Sequence, residues 1–372
     1  MIPQLVTAIN DLRDIVPAWD VLARHALEPN VFYESWALLP ALETLAPEHL
    51  SILLVWEDSS HSALLGLFPV LRERTYQKCP ANHWTNWLHL HCPLGTPLVH
   101  RDHAEAVLGV MLGWMDVYSG AVVVSLDKIP ADGAFAACLQ QVTYLQGRML
   151  DQRDGWQRAL LQGGVAGDEY VAAHYRKKKL KEYARLRRRL EEQGELEYQM
   201  LLPGEHGNLN QWTHDFLRLE SKGWKGRAVT AMGCHASERL FAESLIHNAA
   251  ERGQLMMLKM LLDGEPIAIK LNLASATQGS YALKIAYDER YAAYSPGVLL
   301  ELENIYALLD KTHLGWMDSC ADPDHPMIDH LWAGRRHMVN YHISTRQTFS
   351  KPLLHTMRLV KTAYHYYRGS RI

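Results

Sequence analysis

The segment 281–310, "YALKIAYDERYAAYSPGVLLELENIYALLD", runs from an apolar stretch through an aromatic-rich loop into Ser295-Pro296-Gly297 and then into an amphipathic helical pattern. Proline has no N–H and fixes its own φ, whereas glycine can take a positive φ and lets a ligand approach the main chain. The first turn that follows, from Val298 through Leu299 to Leu300, leaves N–H groups without intrahelical partners. With the helix dipole behind it, such a turn suits a phosphate or pyrophosphate. The same residues also make an ordinary loop with proline near a helix start, so the tripeptide alone leaves both readings open.

Other clusters offer less specific chemistry. His89 and His91, next to Cys92, form a His-x-His that can bind zinc, but no third ligand stands at a fitting spacing, and no metal is expected. Asp322, Asp324, His325, Asp329 and His330 form a metal or acid/base cluster or, with Pro323 and Pro326 among them, a capped turn. Nothing nearby lowers the pKa of Cys320, which reads as an inert thiol. Between Arg176 and Arg189 there are nine Lys/Arg and one acidic residue, Glu182. That is a solvated helix face, or the footprint of a phosphate-rich partner: the 3′-phosphate of coenzyme A, a lipid-linked sugar diphosphate, tRNA or an anionic membrane. From His330 onward there are eight Lys/Arg and no Asp or Glu. Leu353, Met357, Val360, Tyr364 and Tyr367 form an apolar stripe there, suited to docking on the first domain or to lying on a membrane surface.

The elements that must position these residues follow from periodicity and turn chemistry. Helical spacing predicts helices over 20–26, 35–45 and 104–118. Two strands flank the polar turn 58–61, and "AVVVSLDKI" reads as a buried strand. Glycines 155, 163, 164 and 167 mark a domain junction over 151–167. Asp168 is expected to cap one long basic helix ending at Gly194, with strand "ELEYQMLL" after it. Helices are expected over 208–222 and over 237–252, the latter capped by Ser237. Asp263-Gly264 joins two β-type runs as a two-residue hairpin turn. A strand over 280–286, a helix over 298–310 and a strand over 316–318 complete the reading.

The bulk numbers agree with a folded, two-domain protein. The chain has 372 residues, is 48% hydrophobic and 21% charged, and carries a formal net charge of −3, which excludes a disordered chain and a general polyanion binder. Five scattered cysteines without a CxxC pair fit a reducing compartment. No signal peptide and no spanning helix are expected, and the absence of GxGxxG or GxxxxGK[ST] leaves the usual nucleotide readings without an anchor.

The stretch "YALKIAYDERYAAYSPGVLLELENI" resembles the acetyl-CoA site of the GNAT superfamily, and in particular the branch named for cellulose or exopolysaccharide biosynthesis (CelD/BcsL-type). "FLRLESKGWKGRAVTAM" is similar to that branch's glutamate, tryptophan and lysine block, and "RKKKLKEYARLRRRLEEQGELEYQ" to its basic helix and strand. "GLFPVLRER" and "GTPLV" resemble phrases of its N-terminal half. The likeness is strongest between Glu220 and Glu303. It implies an α+β (mixed α/β) fold of two tandem GNAT-like domains with mixed, mostly antiparallel sheets flanked by helices, an arrangement shared with the FemABX peptidyltransferases. The expected parts are an N-terminal domain over 1–155, an acyltransferase domain over 156–345 and a basic tail over 346–372.

The resemblance further implies a cytoplasmic acyltransferase, peripheral to a membrane at most. Acetyl-CoA or another acyl-CoA would be the donor and a sugar or cell-envelope precursor the acceptor. Leu283, Ile285, Ala286, Ser295, Pro296, Gly297, Val298 and Leu299 would hold the donor. Glu220 would be the general base and Tyr287 the acid for the departing thiolate; strand N–H groups over 284–286 would hold the carbonyl, and Lys284 would offset phosphate or acceptor charge. Trp224, Lys225, Asp288, Asp318, Asp324 and His325 would face the acceptor. Asp288 also suits a cap for 289–292. The sequence departs from the branch after 318, where its Tyr-Lys pair is missing and Asp322, Asp324 and His325 stand instead. Two other classes remain: an aminoacyl transferase using charged tRNA, and a non-catalytic scaffold in a polysaccharide-synthesis complex.

Overall fold

Runs of β-branched and aliphatic residues cut by turn formers set most of the strands. A computed structural model describes the backbone of residues 1–369 and side chains through residue 361. The chain opens with β1 (Ile2–Val6), α1 (Ile9–Asp14), α2 (Val16–Arg24) and α3 (Ser35–Thr44). Next come β2 (Leu50–Trp56), β3 (Leu64–Tyr76), β4 (Cys79–Asn86), β5 (Leu98–Val99), α4 (Ala104–Val117), β6 (Val123–Pro130), α5 (Ala134–Leu145) and β7 (Leu150–Gln162). Then follow α6 (Gly167–His174), α7 (Lys177–Glu191), β8 (Leu196–Leu201), α8 (Leu209–Lys222), α9 (Trp224–Arg227), α10 (Ala236–Glu251), β9 (Leu255–Leu262) and β10 (Glu265–Ala274). The last elements are β11 (Gly279–Tyr287), α11 (Pro296–Lys311), β12 (Trp316–Asp318), β13 (Gly334–Ser344) and α12 (Ser350–Gly369).

These elements form two compact units. One comprises residues 1–35, 46–156 and 337 onward; the other comprises 36–45 and 157–336. In the first, β1-β2-β3-β4-β6-β13 form a sheet that is antiparallel except for β4–β6. The apolar stripe of α4, including Val107, Leu108, Met111 and Met115, is buried in the core of this unit. In the second, the end of β7 is followed by β12-β11-β10-β9-β8, antiparallel except for β11–β12. Helix α11 is tied to β10 by polar pairs inside the core: Lys270 Nζ to Glu301 Oε1 at 2.5 Å and Asn272 Nδ2 to Asn304 Oδ1 at 2.8 Å. Asp263 and Gly264, with φ of 50° and 78°, make the expected tight turn between β9 and β10.

Several expectations are corrected. Most of the segment 151–167, for which no strand was expected, is the 13-residue strand β7, and the two units divide within it after Trp156. The basic segment is two helices, because Tyr175 and Arg176 are extended and the Tyr175 hydroxyl donates to the Leu331 carbonyl at 2.6 Å. That helix ends at Glu191, short of Gly194. Helix α10 begins one residue early, at Ala236, with His235 rather than Ser237 at its N-cap. Strand β13 (Gly334–Ser344) precedes the tail and lies where the sequence reading named no element. Of the apolar stripe in that tail, Leu353 and Met357 pack with buried Leu354 against Tyr76 and Val123 of the same unit, whereas Val360 is 57% exposed. The side chains of Tyr364 and Tyr367 lie outside the described residues.

Candidate active site

Strand β11 is paired along one side by β10, but β12 covers only Gly279, Ser280 and Tyr281 on the other. The remaining residues of β11 leave that edge without a strand neighbour. Opposite the register shift between Leu271 and Asn272, Leu283 is the extra residue of β11, since Lys284 faces Leu271 and Ala282 faces Asn272; such bulges re-aim a strand next to a site. The Asp288 N–H donates to the Ile267 carbonyl at 2.8 Å, on the β10 side. The Ile285 carbonyl is instead taken by Lys225 Nζ at 3.1 Å. A residue's N–H and C=O leave an extended strand on the same side, so the Ile285 N–H faces the open edge as well.

A cavity of about 320 Å³ lies at this edge, with Glu220, Trp224, Lys225, Ile285, Tyr287 and Gly297 among its lining residues. Glu220 reaches it from the C-terminal part of α8. Its side chain is fully buried. Oε2 accepts from the Met232 N–H at 2.9 Å, while Oε1 accepts no hydrogen bond among the described residues. Lys225 Nζ and Lys284 Nζ stand 3.8 and 3.9 Å from that same oxygen. The carboxylate is therefore compensated in charge, yet keeps a free lone pair for an incoming proton.

Burial and the neighbouring Lys284 charge pull the Lys225 ammonium down to about 8, against a smaller opposing pull from Glu220. This has a direct consequence for stability. Below pH 8 the lysine is charged in both folded and unfolded chains, and the cost of burying the charge is fully present. Between about 8 and 10.5 the folded chain has lost the proton and the unfolded chain has not, so stability rises with pH. Unfolding free energy relative to Lys225→Met is expected to climb by about 3 kcal/mol across that window. Urea titrations at pH 7, 9 and 10.5 would measure it, and a flat difference would show that Lys225 is not desolvated.

The Ser-Pro-Gly turn differs from its expected geometry. Ser295, not Gly297, takes the left-handed conformation, with φ 52° and ψ 53°. Proline disfavours a right-handed helical residue before it. Gly297 is helical and buried. The N–H groups of Val298 and Leu299 are not free either: both reach the Ser295 carbonyl, at 3.0 and 3.2 Å. A Cβ on Gly297 would meet the Tyr287 ring at 3.5 Å and Met327 Sδ at 3.7 Å, ordinary contact distances, so glycine here keeps cavity space rather than relieving a clash. Arg189 of α7 lies over the Tyr294 ring at 5.4 Å, which places a guanidinium beside the turn.

The structure gathers Glu220, Trp224, Lys225, Ile285, Ala286, Tyr287, Gly297 and His325 around one cavity, with Lys284 near Glu220. Trp224 is 56% exposed at its rim. His325 Nδ1 accepts from the N–H groups of Met327 and Ile328, both at 3.3 Å, so a neutral ring carries its proton on Nε2. Asp324 is exposed and left-handed, with φ 57°, and is not among the lining residues. Asp288 accepts from the Arg290 N–H at 3.0 Å and pairs with its guanidinium, capping the 3-10 turn Glu289–Tyr294. Asp318 is fully buried between Arg158 and Arg336. Burial and Asp318 push the Cys320 thiol well up, as an inert thiol should be. His89 Nδ1 in the first unit accepts from the His91 N–H at 3.3 Å, and no group of metal ligands assembles among the described residues.

Two contributors escaped the sequence reading. The Met232 N–H, from an irregular segment, holds Glu220. Glu289 accepts from the Trp224 N–H at 2.7 Å and from Arg227 at 2.8 Å, fastening α9 beside the cavity. One signal was present in the sequence: Gly226, where a Cβ would sit 1.8 Å from the Ser221 carbonyl, lets the chain fold back tightly after α8.

The acetyltransferase (GNAT) domain family matches residues 177–324, the stretch that contains this cavity. No curated protein matches the chain by sequence. Among solved structures, FemX is similar with a TM-score of 0.57 at 11% identity, covering 94% of this chain and 99% of its own. A protein of unknown function from Bacteroides thetaiotaomicron has a TM-score of 0.55 at 12% identity over 91% and 98%. The C-terminal domain of a protein described as a lysylphosphatidylglycerol synthetase, from Agrobacterium fabrum, has a TM-score of 0.52 at 10% identity over 93% and 96%. These likenesses establish a FemX-like fold across both units, with a GNAT-type domain in the second.

Proposed function

We propose that the second unit transfers an acyl group directly from acetyl-CoA, or another acyl-CoA, to an amine or hydroxyl of a sugar or cell-envelope precursor such as an exopolysaccharide unit. The observation that carries this reading is the unpaired part of β11 beside the cavity holding Glu220. The pantetheine arm would lie along that edge and displace Lys225 from the Ile285 carbonyl. The pyrophosphate would rest against the Ser295–Leu299 turn, held by the Arg189 guanidinium rather than by the Val298 and Leu299 N–H groups, which the Ser295 carbonyl already takes. Glu220 Oε1 would take the acceptor's proton as its N or O attacks the thioester carbon. The Ile285 N–H would hold the oxyanion, and as the C–S bond breaks, Tyr287 would protonate the thiolate. Trp224 and Lys225 would wall the acceptor, with His325 and Asp324 at the rim. The protein would work in the cytoplasm or on the inner membrane face.

A second reading rests on α7. Arg176, Lys177, Lys178, Lys181 and Arg185 are all exposed, a surface suited to the phosphates of a charged tRNA as donor. Thermal unfolding separates the two readings. At a hundredfold excess over Kd, acyl-CoA should raise Tm by about 5 °C, and Gly297→Val, which fills the cavity beside Tyr287, should abolish the shift while preserving the fold. A shift with aminoacyl-tRNA alone, lost at high salt, would select the second reading. An unchanged acyl-CoA shift in Gly297→Val would remove the donor from this cavity.

A further inference from the structure

The first unit contains a larger cavity, about 760 Å³, lined by residues of β2, β3, β4 and α4 and by His49. Arg72 faces Trp84 across the β3–β4 pair. Trp84 meets Trp114 edge to face, with ring centroids 5.5 Å apart, and Trp114 stacks toward Tyr118 at 6.3 Å. Three rings thus lead from the sheet to solvent, where Tyr118 is 73% exposed. Arg72 and Arg74 also line the cavity and form no ion pair among the described residues. Glu73, between them, turns away to His83 at 3.1 Å. No carboxylate is among the lining residues. Trp84 is 5% exposed and its indole N–H finds no acceptor among the described residues.

An aromatic ladder, two uncompensated guanidinium groups and an orphaned donor ask for a flat ring joined to an anion. We infer that this cavity binds a nucleotide, with its base against Trp114 and Tyr118 and its phosphates on Arg72 and Arg74. Ring stacking favours any base, and the planar guanidinium forks match phosphate oxygens. Ser51 and Asn82, which also line the cavity, offer polar atoms for the ribose. The volume suits a ligand of this size. The site is independent of the acyl-transfer reading of the second unit.

The test is calorimetric titration of the full chain with UDP, GDP, uridine, pyrophosphate and a mixed single-stranded RNA 12-mer, on wild type, Arg72→Ala/Arg74→Ala and Tyr118→Ala. UDP and GDP should bind, and more tightly than uridine or pyrophosphate. The double variant should weaken them about a hundredfold and Tyr118→Ala about tenfold, with no change in the acetyl-CoA thermal shift. Binding of the RNA alone, lost in the double variant, would mean that base and phosphate come from an RNA strand rather than a free nucleotide. No binding at millimolar concentration, pyrophosphate binding as tightly as UDP, or indifference to the double variant would overturn the inference.

Discussion

Glu220→Gln is expected to lower kcat for acyl transfer by about 10²–10⁴-fold and to leave the KM for the acyl-CoA donor nearly unchanged. The amide has the volume of the carboxylate and can still accept from the Met232 N–H, so the site keeps its shape. What it loses is the second oxygen's capacity to take a proton. In the wild type that oxygen lies inside the protein, faces two ammonium groups at 3.8 and 3.9 Å, and accepts no hydrogen bond. A carboxylate so placed is oriented but not sealed. Steady-state kinetics with acetyl-CoA and a hydroxylated or amino-sugar acceptor would read the effect, together with the donor-induced Tm shift as a control for binding. A wild-type kcat in Glu220→Gln would remove Glu220 from the proton path and leave it only the structural role of holding the Met232 N–H.

Asp318→Ala is expected to destabilise the protein by about 3–5 kcal/mol, an effect on folding rather than on substrate. Asp318 Oδ1 lies 2.7 Å from Arg158 Nε, Oδ2 accepts from Arg158 Nη2 at 2.7 Å, and Arg336 Nη1 donates to Oδ2 at 2.7 Å. Removing the carboxylate takes from both guanidinium groups their shared buried counter-ion. Burial alone would raise the Asp318 pKa, but Arg158 and Arg336 outweigh it and hold the carboxyl below its ordinary value. The sign follows. The contribution is fully present above the unfolded carboxyl's pKa, near 4, and is lost as pH falls through the lower folded value. Urea unfolding of wild type and Asp318→Asn from pH 7 down to pH 2 should therefore converge in acid. Unchanged stability with lost acceptor binding would restore Asp318 to the substrate site.

The sequence showed the parts of the site that are local. The hairpin turn at Asp263-Gly264, strand β11 and helices α8 and α11 follow from short-range patterns that the fold does not override. Glu220 could be tied to Ile285 only by resemblance, because one sits on a helix and the other on a strand far along the chain. Strand β7 was hidden by Gly155 and its charges: its pairing partner β12 lies about 150 residues later, beyond any local signal. The break at Tyr175 depends on one tertiary hydrogen bond, to Leu331. At the Ser-Pro-Gly turn, glycine suggested the left-handed residue; Ser295 takes that conformation instead, and proline rules out only the right-handed helical alternative there.

An uncovered strand is a template on which another polypeptide can add, the first step toward edge-to-edge aggregation. β11 leaves such a margin open beside the cavity, and Lys225 sits on its Ile285 carbonyl. The ammonium thereby denies a stray strand its first acceptor, and any ligand laid along this edge would have to make up for the lost contact.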